Sequence, residues 1–234
     1  MQTAMLDLLL EARNARRPVV LATRLEDGQQ ALILADTAEG PLASDETVVE
    51  AARQAMLADR SGVVDTGVGK LFLHAFVPAP RLFVVGAVHI AQALVPMAAM
   101  AGYDVTVIDP RRAFASDSRF PNVTVLTDWP DEALETLKPD RSTAVVTLTH
   151  DPKLDDPALA AALRSDCFYI GALGSRRTHE KRLARLAELG FTAEQMARIH
   201  GPVGLNIGAL SPAEIAISIV GQITQARRRK PEAA

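Results

Sequence analysis

The chain carries one cysteine, Cys167, in 234 residues. That count excludes an internal disulfide framework and a cysteine-built zinc or iron–sulfur site, and it fits a reducing cytoplasm. Neither sign of charge dominates, with 25 Lys and Arg against 28 Asp and Glu. No global field is therefore available to grip nucleic acid or an anionic membrane surface. The first 17 residues hold acids within a short apolar run and lack a small-residue cleavage site, so they do not read as a signal peptide. Catalytic signatures are missing as well: there is no G-x-S-x-G elbow, no Walker lysine loop and no H-E-x-x-H. The five histidines (74, 89, 150, 179 and 200) lack metal-ligand spacing. Cys167 begins an apolar strand and reads as a small buried hydrophobe.

One run could be mistaken for a membrane span. Residues 82–103 contain no Asp, Glu, Lys or Arg and are long enough to cross a bilayer. They also hold Gly86, His89, Gln92 and Pro96, open with a strand-like block and turn to helical periodicity after Gly86, which predicts a buried strand followed by a buried helix.

What is present is a globular composition, 48% hydrophobic and 23% charged, in a length that suits one large domain or two small ones. The first 77 residues read as a small α+β domain. A helix is expected over 3–16, strands over Val19 to Thr23 and Ala31 to Asp36 around the turn Glu26-Asp27-Gly28, and a helix over Asp45 to Asp59 capped by Ser44 or Asp45. Apolar runs follow at Gly62 to Asp65 and Leu71 to Val77. Pro78-Ala79-Pro80, stiff and poor in donors, marks the boundary.

From residue 78 to 234, apolar strands alternate with helical patterns, the sign of a Rossmann-like, doubly wound parallel sheet. Strands are placed at Leu82 to Gly86, Asp104 to Asp109, Val123 to Leu126, Ala144 to Leu148 and Phe168 to Gly171. Helices are placed at Val88 to Ala101, Pro130 to Leu137, Asp155 to Leu163 and Arg176 to Leu189. A last helix opens on the capping box Ser211-Pro212-Ala213-Glu214 and runs to Arg227, Arg228, Arg229 and Lys230, where cations complement the helix dipole.

In such a sheet, ligands bind beyond the carboxyl ends of the strands. The first of those loops reads Gly86-Ala87-Val88-His89, with Asp109 following Gly86 by 23 positions. The layout is that of a dinucleotide fingerprint, with the acid at about the ribose-reading distance of roughly 20 residues. Val88, however, stands where a glycine would let backbone approach a pyrophosphate, which weakens the case for classical NAD binding. After the fourth strand come Thr149, His150 and Asp151, which either hold a ligand and move a proton or cap the next helix. After the fifth, Gly174-Ser175-Arg176-Arg177 places two cations at a helix start whose dipole is already positive. That misfit points to an anion, whereas solvation or pairing with Asp109 or Glu180 is the plainer reading. The Gly-rich loop 200–208 reads equally as a lid or as an irregular crossover.

Taken together and in order, PAPRLFVVGAVHIAQAL, VTVIDPR, VVTLTHDPKLDDPAL, YIGALGSRRTHEKR and RIHGPVGLNIGALSPAEIAISI resemble the XdhC/CoxI family of molybdoenzyme accessory proteins over about residues 70–225. The resemblance implies a chaperone without turnover of its own. Such a protein binds the molybdenum cofactor, as molybdopterin or its cytosine dinucleotide, and protects it while a cysteine desulfurase installs the terminal sulfido ligand. It then aids insertion into an apo molybdenum hydroxylase of the xanthine dehydrogenase type. The expected cofactor-binding residues are Gly86, Ala87, Val88, His89, Asp109, Arg111, Thr149, His150, Asp151, Gly174, Ser175, Arg176 and Arg177.

Longer members of that family carry an N-terminal Ser-Gly-Gly-Cys stretch, and residues 1–77 contain nothing like it. A small separate partner bearing the missing part is therefore expected. A homodimer is the commonest soluble assembly, but no residue here argues for one. The competing readings are an NAD(P)-dependent oxidoreductase using Gly86, Asp109 and His150, and a ligand-free module that bridges desulfurase and client.

Overall fold

A computed structural model describes residues 3–114 and 119–228. The chain divides into two compact units, Met1–Pro78 and Ala79–Ala234.

The first unit holds α1 (Thr3–Asn14), β1 (Val19–Arg24), β2 (Gln30–Ile33), β3 (Ala38–Glu39), α2 (Glu46–Ala58), β4 (Gly62–Thr66) and β5 (Gly69–Phe76). Its antiparallel sheet has the order β3-β2-β1-β5-β4. Strand alternation sends Val20, Ala22 and Leu71 to one face, where Val48 and Ala52 of α2 pack. Val19 and Leu32 go to the other, under Met5 and Leu9 of α1. Asp45 is the cap of α2, accepting from the amides of Thr47 and Val48. Two residues of strand are too few to carry a period, and β3 is not expected from the sequence.

The second unit contains β6 (Arg81–Val85), α3 (His89–Met100), β7 (Asp104–Ile108), β8 (Thr124–Leu126), α4 (Pro130–Leu137) and β9 (Thr143–Thr147). It continues with α5 (Pro152–Arg164), β10 (Tyr169–Ala172), α6 (Arg176–Glu188), α7 (Ala193–Met196), β11 (Ile199–His200) and α8 (Pro212–Arg228). The six strands are parallel in the order β11-β10-β9-β6-β7-β8. Leu82, Val84, Ala144 and Val146 face α3 and α8 in one core; Phe83, Val85 and Val145 face α4 and α5 in a second. The strands are apolar throughout because both faces are covered. No helix among the described residues is long and apolar enough to cross a membrane; 82–103 are β6 and α3, as their changing periodicity predicts.

Three details differ from the sequence expectation. Helix α5 starts three residues earlier, because Asp151 caps it and Pro152 sits at its first turn. The one-turn helix α7 and the two-residue strand β11 are additions. The 200–208 loop is tied to α8 at its middle: the Gly204 amide donates to Gln222 Oε1 at 2.8 Å, and the Leu205 amide donates to the Ser218 carbonyl. At the last helix the capping box forms, with the Ser211 amide on Glu214 Oε2 at 2.8 Å and the Glu214 amide on Ser211 Oγ at 3.3 Å. Arg229 and Lys230 lie outside the described residues. Cys167 is buried in the α4/α5 core, and burial pushes its thiol up.

Candidate site at the carboxyl ends of the parallel strands

Strands β6 and β9 are neighbours, yet the chain leaves β6 toward β7 on one side and leaves β9 toward β10 on the other. That reversal is the switch point at which open α/β sheets bind ligands. Two loops meet there. Gly86 follows β6 with φ +111°, and a Cβ on it would lie 2.8 Å from Thr149 Cγ2 in the loop after β9. Only glycine permits both the backbone angle and that approach.

The Gly86 loop is braced from the end of β7. Asp109, wholly buried, accepts at Oδ2 from the Ala87 amide at 2.8 Å and from Arg111 Nη2 at 2.8 Å. Its Oδ1 accepts from the amide and Nε of Arg111. Burial pushes this carboxyl up, but the hydrogen bonds from Arg111 and the two amides outweigh it and hold the group below its ordinary range. Four donors fill the four lone-pair positions of the carboxylate. Its partners are protein groups of two loops, the Ala87 amide after β6 and Arg111 after β7. Arg111 is likewise engaged, and its guanidinium lies over the Phe114 ring at 4.6 Å.

Two more expected residues are helix caps. Asp151 accepts from the Lys153 amide at the start of α5, and Ser175 accepts from the Thr178 amide at the start of α6. Val88 and His89 form the entry to α3; Val88 is half-buried against the core and His89 is exposed. His150 is exposed in the left-handed region at φ +62°, a conformation in which histidine is enriched. Gly174, at φ +145°, brings the β10–α6 turn close to Thr178.

Beside this turn lies a cleft of about 510 Å³ between α5 and α6, lined by His150, Asp155, Arg177, Lys181, Arg182 and Arg185 among others. Arg176, expected with Arg177, is exposed but does not line it. On α6 the spacing 177, 181, 185 repeats every four residues, so these cations share a face. Like charges at that spacing destabilise a helix by about 0.2–0.5 kcal/mol per pair. Arg185 forms a bidentate pair with Asp156.

Arg182 is 2% exposed and donates from Nη2 to the Leu173 carbonyl at 2.8 Å. Its Nη2 also stands 3.7 Å from Asp155 Oδ2, an ion pair too long for a hydrogen bond. Arg182 Nε and Nη1 and Asp155 Oδ2 are buried without a hydrogen-bond partner among the described residues. Leaving a buried polar group unmet costs about 1–3 kcal/mol, and more when the group is charged. Asp155 Oδ1 accepts from Thr149 Oγ1 at 2.7 Å, and burial pushes this carboxyl up despite Thr149 and the Arg182 charge. Sequence reasoning confined to the first turn of α6 misses Asp155, Lys181, Arg182 and Arg185. The four-residue repeat of cations is the signal that could have found the basic face.

Residues 82–223 match the model of the XdhC Rossmann domain. The chain is 34% identical over 179 residues to the uncharacterized protein YqeB of Escherichia coli, covering 74% of this chain and 32% of that protein. It is 34% identical over 157 residues to the molybdenum cofactor insertion chaperone PaoD of E. coli, covering 67% and 43%. It is 32% identical over 160 residues to a probable xanthine dehydrogenase subunit of Bacillus subtilis, covering 68% and 46%. The matched segment is thus about a third to a half of each of these relatives. A crystal structure described as a xanthine dehydrogenase from Bacillus halodurans superposes with a TM-score of 0.71 at 27% identity, covering 99% of this chain and 66% of that one. The chain belongs to the XdhC family.

Proposed function

We propose that this protein is a maturation factor for a molybdenum hydroxylase of the xanthine dehydrogenase type, and that it binds the molybdenum cofactor as cargo. The observation that carries this reading is the similarity to PaoD, named a molybdenum cofactor insertion chaperone, in a chain whose switch-point crevice and basic cleft suit a phosphorylated ligand. A buried arginine with two unmet donors and a backbone cradle that a Cβ at Gly86 would fill fit such a group chemically.

In this account the Gly86-Ala87 turn, its own amides held by Ile108 and Asp109, lets the chain come close to the cargo, and the amides of Val88 and His89 and the Gly174-Ser175 turn approach it through backbone. Thr149 and His150 border it, and Arg176 and Arg177 supply positive charge at the start of α6. Asp109 and Arg111 act one step back, holding the Gly86 loop in place, and Asp151 and Ser175 fix the helix starts that aim amides at the crevice. The finer proposal is that the chain protects the cofactor, as molybdopterin or its cytosine dinucleotide, while a cysteine desulfurase installs the sulfido ligand, and then aids its insertion into the apo-hydroxylase. The protein works without turnover of its own, in the cytoplasm, and a small chain bearing a Ser-Gly-Gly-Cys stretch is its further partner. An NAD(P)-dependent reaction is disfavoured because the carboxylate in the ribose-reading position is saturated by Ala87 and Arg111.

The test is a hydroxylase of this type produced with and without the protein in the same host. Hydroxylase made without it is expected to fold but to hold little cofactor and little sulfido ligand, with both restored by the wild-type chain. Equal cofactor content and activity in the two preparations would refute the role.

A further inference from the structure

Three independent features converge on the cleft between α5 and α6. The first is charge: Arg177, Lys181, Arg182 and Arg185 outnumber Asp155 and Asp156, giving an excess of two positive charges around one concavity. The second is the start of α6, where Ser175 caps the Thr178 amide and the helix dipole is positive. The third is Arg182 itself, nine-tenths buried and lining the cleft, with Nε and Nη1 unpartnered. Nε and Nη1 lie on different edges of the guanidinium, so each is a single charged donor for an oxyanion oxygen. The Leu173 carbonyl holds Nη2, which anchors the guanidinium and leaves Nε and Nη1 as unmet charged donors beneath the cleft.

We infer that this cleft is a phosphate subsite, with Arg182 as its specificity-determining residue and Arg177 and Lys181 as its outer cations. The ligand class is a phosphate ester or pyrophosphate, and the excess of two charges matches the dianion. Asp155 positions rather than binds: Thr149 fixes one of its oxygens, and the other stands 3.7 Å from the Arg182 guanidinium, tying the cleft to the loop that borders Gly86. The inference rests on the cargo reading above for the identity of the molecule, but the subsite itself is testable without it.

The experiment is calorimetric titration of the full chain, purified from a host that cannot make molybdopterin, with inorganic pyrophosphate, phosphate, cytidine monophosphate and sulfate. One pyrophosphate or phosphate ester per chain is expected, bound more tightly than sulfate and weakened by salt. Preference for pyrophosphate points to the dinucleotide cofactor as source, and preference for the nucleoside monophosphate points to a simple phosphate ester.

Arg182→Met, which keeps the length but not the charge, is expected to weaken binding at least about thirty-fold, as loss of a buried charged donor does. Arg177→Gln, at an exposed position that leaves the core intact, should weaken it roughly five-fold, and Arg141→Gln, at a 90% exposed side chain, should change nothing. If Arg182→Met fails to fold by circular dichroism, Arg177→Gln decides alone. No heat with any phosphate, equal binding of sulfate, or unchanged affinity in Arg177→Gln and in a folded Arg182→Met would each overturn the subsite. Pterin content of the same variants, from a host that makes the cofactor, separates the two ideas. Pyrophosphate binding without pterin leaves the subsite standing and removes the cargo reading, and pterin without pyrophosphate binding does the reverse.

Discussion

Gly86 and Thr149 face each other across the switch point so closely that a Cβ at residue 86 would lie 2.8 Å from the Thr149 methyl carbon. The backbone at Gly86 is also in the positive-φ region, at +111°. Gly86→Ala must therefore strain the backbone and push the two loops apart. A loss of about 2–4 kcal/mol is expected from the two effects together, visible as a fall of several degrees in melting temperature. An unchanged melting temperature would mean that the loops yield freely.

Asp109 and Asp155 should respond to pH with opposite signs. The Asp109 carboxyl is held below its ordinary value of 3.8, so its stabilising contribution is complete above that pH and is lost as pH falls through the native value. Asp109→Asn should then cost about 2–4 kcal/mol at pH 7, because Arg111 and the Ala87 amide lose a charged acceptor, and the deficit should shrink below pH 3.8. Asp155 is raised above 3.8, so its contribution is complete below that pH and is lost as pH rises through the native value. Asp155→Asn should accordingly gain on the wild type as pH rises above 3.8. Denaturation profiles that run from well below pH 3.8 up to neutrality check both, and parallel curves for the two variants would contradict the assignment.

The parallel sheet was legible because each strand is an apolar run and each crossover has helical spacing; Leu82 to Gly86 and Arg81–Val85, the expected and observed first strand, differ by one residue at each end. What escaped was too short to have a period, as with Ala38–Glu39 and Ile199–His200. The site was half legible. Glycine at 86 and 174 announced two tight turns, and the arginines after Ser175 announced a helix start at odds with its dipole. The 23-residue spacing from Gly86 placed Asp109 correctly on its strand end but could not tell an acid facing a ligand from one turned inward to Ala87 and Arg111. Arg182 escaped because a charge inside a basic helix reads as solvent-exposed, and only packing against Asp155 of α5 buries it.

The unit Ala79–Ala234 has its own two cores. Expressed without residues 1–78, it should fold with the helix content of its part of the chain and unfold cooperatively. Circular dichroism and hydrogen exchange check this, and a non-cooperative melt would show that the cores fall short.

The most direct measurement is the pterin carried by the protein itself. After anaerobic purification from a host that makes molybdopterin, oxidation should release close to one fluorescent pterin per chain, and none from a host deficient in its synthesis. Protein from the competent host that releases no pterin would contradict the claim that this chain carries the molybdenum cofactor.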